Sequence, residues 1–209
     1  MTVRPDANNN GKGTRQTSVP VLRPTKAELL AAVTRRVPDV IAPGLRVLFC
    51  GINPGLYSAW ARHHFARPGN RFWPALHAAR FTERLFAPHE ERLLLPLGYG
   101  ITNLVARATA GAEEISVDEL RAGGRRLVTK VRRARPRFVA ILGIGAYRSA
   151  FARPHATLGL QSETLGATRI WVLPNPSGLN AHYPAADLKR HFGALRLASG
   201  GESDSLTGD

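Results

Sequence analysis

Short apolar segments alternate with helical patterns along this 209-residue chain, and that alternation restricts the fold more than any other feature. A short apolar run bounded by turn residues is typical of a strand that is buried on both faces of a parallel sheet. The predicted strands are Arg46–Cys50, Gly100–Val105, Phe138–Leu142 and Ile170–Leu173. Because strands and helices alternate, we predict a three-layer α/β/α sandwich with a central, mostly parallel sheet of about four strands.

The segments between these strands carry apolar residues at helical spacing and recognisable helix ends. Thr25 with Glu28, and Ser116 with Glu119, form the pattern of a capping box. Helices are predicted over 25–37, 71–79, 88–94, 116–135, 143–151 and 185–198, an irregular stretch over 56–70, and a short hairpin arm over 163–169. We expect one domain at 25–198, between a disordered basic arm at 1–24 and a disordered polar tail at 199–209.

A loop with turn or polar residues follows each predicted strand. These loops are Gly51–Gly55, Ala106–Thr109, Gly143–Gly145 and Asn175–Gly178. In an open α/β sheet such loops meet beyond the carboxyl ends of the strands, where ligands bind. We therefore expect Asn53 on the floor of this crevice, with its amide directed at the ligand. The alternative is a turn residue whose side chain caps its own loop.

Basic residues outnumber acidic residues by 29 to 15, which gives a formal net charge of +14. Such an excess favours binding to a polyanion through the release of counterions. The alternative is an arginine-rich composition encoded by a GC-rich genome, which would give the same charge without any binding role.

Cys50 is the single cysteine, which excludes an internal disulfide and a four-cysteine iron–sulfur or zinc site within one chain. No apolar run approaches the roughly 18 residues that span a bilayer. No signal peptide is visible at the N-terminus. We therefore expect a cytoplasmic protein that does not bind membranes.

Five segments in a fixed order carry a resemblance to a known family. They read GINPG at 51–55, HHF at 63–65, PGNRFW at 68–73, GITNLV at 100–105 and NPSG at 175–178. Together they resemble the mismatch-specific uracil/thymine-DNA glycosylases, which are family 2 of the uracil-DNA glycosylase superfamily. The similarity extends over residues 42–196 and implies the uracil-DNA glycosylase-like fold.

The resemblance implies a monofunctional DNA glycosylase that initiates base-excision repair. Such an enzyme flips uracil out of the duplex, chiefly opposite guanine, and hydrolyses its N-glycosidic bond. Thymine, ethenocytosine, xanthine and uracil in single strands stay open as further substrates. The implied partner is double-stranded DNA containing G:U or G:T mismatches. We expect a monomer that needs no cofactor and no metal, located in the cytoplasm and on the bacterial nucleoid when bound to DNA.

The resemblance also assigns roles to residues of the predicted crevice. Asn53 matches the catalytic asparagine that orients the attacking water, and Phe65 matches the aromatic ring that stacks on the flipped base. The other residues of the implied base pocket are Ile52, Ser58, His64 and Asn70. For the last three, the alternatives are a plain helix or turn serine, a surface histidine and a helix N-cap.

The loop Asn175-Pro176-Ser177-Gly178-Leu179-Asn180 matches the segment that inserts into the duplex. Leu179 is the implied apolar wedge, and the main chain of Gly178 and Asn180 is expected to contact the orphaned guanine. Arg107 also matches the family and is expected to serve either a phosphate or the structure. The chain departs from the family at Arg62, Ala106 and Ala181, where relatives have glycine, aspartate and arginine.

Two other functions compete with a glycosylase. A non-catalytic DNA-binding or mismatch-sensing module could share the same fold. An α/β enzyme with a nucleotide cofactor is disfavoured, because the full G-x-G-x-x-G fingerprint does not follow the first strand.

Overall fold

The computed structural model describes residues 23–178 and 182–200 of the chain. The strands of its central sheet are β1 (Val47–Gly51), β2 (Tyr99–Asn103), β3 (Phe138–Leu142), β4 (Gly159–Leu165) and β5 (Thr168–Leu173). Their order across the sheet is β2-β1-β3-β5-β4. The first four strands in this order run parallel, and β4 pairs antiparallel with β5 at the edge. The predicted α/β class with a mostly parallel sheet is therefore confirmed.

The edge strand β4 is the strand that the sequence did not predict. The hairpin arm expected at 163–169 is the end of β4, a turn at Gly166 with φ of 65°, and the start of β5. Side chains of β4 alternate between exposed and partly exposed, whereas those of β1, β2 and β3 are buried throughout. A half-exposed edge strand has no continuous apolar run, so the pattern that reveals buried strands misses it.

Six α-helices and three short 3₁₀ helices surround the sheet in the described residues. The α-helices are α1 (Lys26–Ala31), α2 (Leu56–Ala61), α3 (Phe72–Ala78), α4 (Val117–Ala134), α5 (Ile144–Phe151) and α6 (Ala185–Ala198). The 3₁₀ helices are Ala32–Thr34, Pro88–Leu94 and Ala112–Glu114.

Three helix predictions need correction. The helix expected at 25–37 ends as an α-helix at Ala31 and continues as one 3₁₀ turn. Leu30 and Val33 of its expected apolar face are exposed, so the packing that stabilises a longer helix is missing. The helix expected at 88–94 is a 3₁₀ helix. The stretch expected to be irregular contains α2, a helix too short for a periodic pattern to reveal.

The helices cover both faces of the sheet and so form the predicted three layers. Phe49 of β1 points to the α3/α6 side, where its ring lies 5.5 Å from that of Phe72 and 6.2 Å from that of Phe192. Leu48 and Cys50, on the opposite face, belong to the core formed with α4 and α5. Burying each large side chain in these cores contributes about 1.5–3 kcal/mol.

Two glycines let α4 approach its neighbours closely. A Cβ at Gly123 would lie 2.6 Å from the carbonyl oxygen of Leu104, and one at Gly124 would lie 2.8 Å from that of Ala150. The Gly-Gly pair is therefore a point of close packing, which fixes the segment after β2 against α4.

The two predicted terminal segments lie mostly outside the described residues. The predicted N-terminal arm and C-terminal tail fall almost wholly on residues 1–22 and 201–209, and they stay predictions. Among the helices of the described residues, none has the length and apolar character needed to span a membrane.

Candidate active site

A cavity of about 290 Å³ opens where the carboxyl ends of the parallel strands meet. Its size is near the lower end of ligand pockets, roughly 300–1,000 Å³, and suits a single nucleobase better than a dinucleotide cofactor. The predicted site residues that line it are Ile52, Asn53, Ser58, His64, Phe65, Asn70, Asn175 and Ser177. The sequence did not assign a pocket role to several others that line it, among them Arg67, Asn103, Thr109 and Glu113.

Asn53 follows β1 and is held by the loop that follows β2. Its Nδ2 lies 3.1 Å from the carbonyl oxygen of Arg107, 2.6 Å from Thr109 Oγ1 and 3.1 Å from the carbonyl oxygen of Pro54. Main-chain carbonyls only accept hydrogen bonds, so the group that faces them is the amide NH₂. The Asn53 Oδ1 is thereby left as an acceptor, and it has no hydrogen-bond partner among the described residues.

Thr109 completes this arrangement, because its hydroxyl both accepts from Asn53 and donates to the carbonyl oxygen of Gly111 at 2.7 Å. The Asn53 amide is thus fixed from outside its own turn. The alternative that Asn53 merely caps its loop accounts only for the contact with Pro54.

Phe65 forms one wall of the cavity in an unusual backbone conformation. Its φ is 54°, in the left-handed region that few non-glycine residues adopt. Its ring stacks on that of Phe72 with the centroids 4.0 Å apart and an interplanar angle of 26°. A planar base could stack on the other face of the ring, as the resemblance implies.

Gly51 keeps the cavity open between Phe65 and Asn103. A Cβ at this position would lie 2.4 Å from Asn103 Oδ1 and 3.2 Å from the tip of the Phe65 ring. A side chain there would collide with both groups, so the pocket needs glycine at the end of β1.

His64 is buried and uses both of its ring nitrogens within the protein. Nε2 lies 3.0 Å from the carbonyl oxygen of Pro38, so this nitrogen carries the proton, and Nδ1 accepts from Asn103 Nδ2 at 3.3 Å. Burial lowers the pKa of His64, and this effect outweighs the opposing effect of the Glu91 charge. The imidazole ring therefore stays neutral. His64 therefore orients Asn103, instead of forming the expected hydrogen bond to a base or a phosphate.

Glu91 holds the segment that carries His64 and Phe65. One of its carboxylate oxygens accepts the His64 backbone N–H at 2.8 Å, and the other lies 3.0 Å from His63 Nδ1. The backbone carbonyl of His64 also accepts the indole N–H of Trp73 at 3.2 Å. No local pattern in the sequence indicates this role of Glu91, because the contact spans 27 residues.

Ser58 and Asn70 line the cavity, but their side chains hold the main chain around it. Ser58 lies in α2, and its Oγ accepts the Ala66 backbone N–H at 3.1 Å. Asn70 Oδ1 accepts the Phe72 backbone N–H at 2.9 Å, which is the cap-like role weighed as its alternative. Ile52 lies beside Gly143, where an added Cβ would be 3.3 Å from the tip of the Ile52 side chain.

Arg107 has the structural role of the two expected for it. Its guanidinium contacts both carboxylate oxygens of Glu119, at 3.0 and 3.1 Å, and donates to the Glu114 carbonyl oxygen at 3.1 Å. This bidentate contact lowers the pKa of Glu119 to about 2, with a further contribution from the Ser116 backbone N–H. The loop after β2 is thus attached to the start of α4.

The predicted insertion loop is attached to the start of α3 by Arg71. The Arg71 backbone N–H donates to Pro176 at 3.0 Å, and its guanidinium donates to the carbonyl oxygens of Ser177, at 2.8 Å, and Tyr183. A Cβ at Gly178 would lie 2.5 Å from the Gly69 carbonyl oxygen, so the two loops are in close contact. Pro176 and Gly178 do not line the cavity, and Leu179 and Asn180 lie outside the described residues.

Across residues 23–178 and 182–200, no three His, Cys, Asp or Glu side chains are grouped so that they could hold a metal ion. The cavity lining supplies amides, an aromatic ring and a neutral imidazole, together with the hydroxyls of Ser58 and Thr109, the Arg67 guanidinium and the Glu113 carboxylate.

Comparison with known proteins connects this chain to a family. The family model of the uracil DNA glycosylase superfamily matches residues 38–195. The fold is similar to the solution NMR structure of a candidate uracil DNA glycosylase from Methanosarcina acetivorans, with a TM-score of 0.50 and 18% sequence identity. The likeness covers 78% of this chain and 98% of that chain, and at this level of identity it concerns the fold alone.

Proposed function

The chain belongs to the uracil DNA glycosylase superfamily, and from this premise we propose that it is a monofunctional DNA glycosylase acting on uracil, chiefly opposite guanine. The reaction breaks the bond between N1 of the base and C1′ of the deoxyribose. The electron pair leaves with the base as an anion, water adds to C1′, and the water proton is released. An abasic site remains in the DNA.

The observation that carries this proposal is the fixed orientation of the Asn53 amide. Its NH₂ group is engaged by Arg107 and Thr109, so its Oδ1 accepts a hydrogen bond from water. A water held in this way has a lone pair directed away from Asn53, toward a nucleotide in the cavity. An amide is a weak base, so its contribution is mainly the positioning of the nucleophile.

Recognition of the base follows from the walls of the cavity. Phe65, backed by Phe72, offers a rigid ring for stacking. Asn103 donates one amide hydrogen to His64, which leaves its second hydrogen and its Oδ1 for the polar edge of a pyrimidine. A donor and an acceptor from one side chain match the adjacent carbonyl and N–H groups of uracil.

Specificity for mismatches is part of the proposal and is supported by the resemblance of the 175–180 loop. In this account Leu179 enters the duplex, and the main chain of Gly178 and Asn180 contacts the guanine. Arg71 supports the described part of this loop. Ala181 stands where relatives have arginine. We therefore expect this protein to bind DNA at the space left by the flipped base more weakly than those enzymes do.

The resemblance to family 2 supports the remaining features that we propose. The protein acts as a cytoplasmic monomer on double-stranded DNA and uses no cofactor. Thymine opposite guanine is a slower substrate, because its methyl group must fit a pocket of about 290 Å³ beside Phe65. One methyl group changes discrimination by about 1–3 kcal/mol.

The experiment is a base-release panel with uracil opposite guanine, uracil opposite adenine, thymine opposite guanine and uracil in a single strand. An undamaged duplex of the same sequence is the control. We expect alkali-labile abasic sites with uracil opposite guanine above all others. Tight binding to the mismatched duplex without release of any base would instead identify a mismatch-sensing module.

A further inference from the structure

A group of arginines lies at the end of the sheet opposite the active site. We call this group the amino-end patch; it consists of Arg46, Arg132, Arg135, Arg137, Arg169 and Arg196. None of its members forms an ion pair with another described residue. Elsewhere on the surface, Arg84 and Arg153 are paired with glutamates, whereas the exposed Arg36 and Arg92 form no ion pair with a described residue either. The patch is therefore distinguished by the grouping of its arginines.

The topology of the sheet puts this patch far from the active site. Arg46 precedes β1 and Asn53 follows it, and a strand of this length alone spans roughly 16 Å. Arg137 precedes β3 in the same way. The end of α4 reaches this edge too, since the Gly44 backbone N–H donates to the carbonyl oxygen of Ala134 at 2.8 Å.

Shared neighbours connect the members of the patch. The guanidinium carbons of Arg137 and Arg169 lie 5.9 and 5.1 Å from the centre of the same ring, that of Phe138. Two surface grooves, of about 710 and 540 Å³, share Arg46 as a lining residue. Arg196 lines the first groove, and Arg132, Arg135 and Arg137 line the second. Within the described part of the chain, Glu83 is the one carboxylate that lines either groove.

Favourable interactions with helix ends explain the positions of only some arginines in the amino-end patch. Arg132 and Arg196 lie in the last turns of α4 and α6, where a cation is favourable beside the free carbonyl groups. Arg46, Arg137 and Arg169 lie at the starts of strands, where no such preference exists. Like charges held together repel one another, so an anionic partner would be bound favourably.

We propose that the amino-end patch binds the phosphate backbone of a second DNA duplex while the active site engages the first. This inference rests on the proposed function for the identity of the first partner. Arginines that are not neutralised by carboxylates release counterions when they contact phosphates, whatever the base sequence. Two such surfaces at opposite ends of one sheet allow one molecule to bridge two DNA segments.

The test uses two short duplexes, one immobilised and one fluorescent, and measures how much of the second is retained by the protein. The patch variant combines Arg132→Gln, Arg137→Gln and Arg169→Gln, three exposed positions. The control variant combines Arg36→Gln, Arg92→Gln and Arg121→Gln, which removes the same charge from exposed positions outside the patch. Release of uracil from a single short duplex is measured in parallel.

We expect the patch variant to lose at least about tenfold in bridging and to keep base release within about twofold, while the control variant keeps both. The logarithmic salt dependence of bridging should become shallower by about 2–3 as three phosphate contacts disappear. Sedimentation should show one protein with two duplexes. Equal bridging by both variants, or complexes with two proteins, would overturn the inference.

The bridging assay has a second outcome, which depends on the acidic segment that follows α6. Residues 201–209 include Glu202, Asp204 and Asp209. If bridging appears only after this segment is deleted, the segment itself occupies the patch and the inference is wrong. Absence of base release together with normal bridging would contradict the proposed function and leave the second surface supported.

Discussion

At the scale of single residues, the sequence predicted which side chains line the pocket but not the hydrogen bonds that they form. The motifs marked Asn53, Phe65 and His64 as pocket residues, and all three line the cavity. The direction of the Asn53 amide depends on Thr109, which lies 56 positions away. The role of His64 depends on Pro38 and Asn103 in the same way. Such long-range hydrogen bonds leave no periodic trace in a sequence.

The first prediction concerns Thr109. Thr109→Val keeps the shape of the side chain but removes the hydroxyl that accepts from Asn53 Nδ2. The amide then keeps only the two longer contacts with main-chain carbonyls, so it is held less firmly in its orientation. We expect the single-turnover rate of uracil release to fall about tenfold, or about 1.4 kcal/mol, with little change in DNA affinity. Thr109→Ser, which retains the hydroxyl, should stay near the wild-type rate. An unaffected rate in Thr109→Val would show that this hydrogen bond does not matter.

The second prediction concerns pH and His64. Its pKa is lowered in the folded protein, so below pH 6.5 the unfolded chain binds a proton that the folded chain resists. The free energy of unfolding should therefore decrease as the pH falls from about 6.5, by at most about 1.4 kcal/mol per pH unit from this group.

Denaturant titrations at several pH values check this, with His64→Gln as the matched variant. Glutamine can still donate to Pro38 and accept from Asn103, but it does not titrate. We expect the variant to lose less stability between pH 6.5 and 5 than the wild type. His191, whose pKa is also lowered by burial, is present in both proteins and cancels in the comparison. Identical slopes would mean that His64 is not kept neutral by the fold.

At the scale of elements, buried strands and well-capped helices followed from the sequence, and short or half-exposed elements did not. β3 and α6 have the predicted limits. α2 is only six residues long, and β4 alternates at an exposed edge, so neither has a strong pattern. The convergence of the strand-end loops was predictable because parallel strands bring their carboxyl ends to one edge.

The third prediction compares two helical glycines. Gly123→Ala would place a Cβ 2.6 Å from the carbonyl oxygen of Leu104, a main-chain atom that cannot move aside. The clash outweighs the gain in helix propensity of about 1 kcal/mol and should destabilise the protein by about 1–3 kcal/mol.

Gly193→Ala in α6 is the matched control, because a Cβ there meets nothing within 4 Å. It should stabilise the protein by about 0.5–1 kcal/mol. Thermal or denaturant unfolding measures both effects. If both substitutions changed the free energy of unfolding in the same direction, α4 would not be closely packed at Gly123.

The fourth prediction concerns the segment that carries Phe65. Glu91→Ala removes the acceptor of the buried His64 N–H, at a cost of about 1–3 kcal/mol, and releases the strained turn at Phe65. We expect lower stability and slower base release. Glu90→Gln is the control, because Glu90 pairs with the exposed Arg84 and does not contact the pocket. Unchanged base release in Glu91→Ala would show that Phe65 keeps its position without this carboxylate.

At the scale of the whole molecule, the net charge of +14 indicated a polyanionic partner but not where it binds. The fold places a pocket of amides and aromatic rings at one end of the sheet and unpaired arginines at the other. Composition cannot separate these two ends, because it carries no information on which strand starts and helix ends meet. The order of motifs along the chain indicated the superfamily that the family model confirms, and the sheet topology brings residues of each motif to the pocket edge.

The most direct test of the account is the single-turnover release of uracil from a G:U duplex by wild type and Asn53→Ala, with DNA affinity measured for both. If Asn53 Oδ1 holds the attacking water, the variant should bind the duplex as the wild type does and release uracil at least about a hundredfold more slowly. Release by Asn53→Ala at the wild-type rate would contradict the central claim that this amide positions the nucleophile.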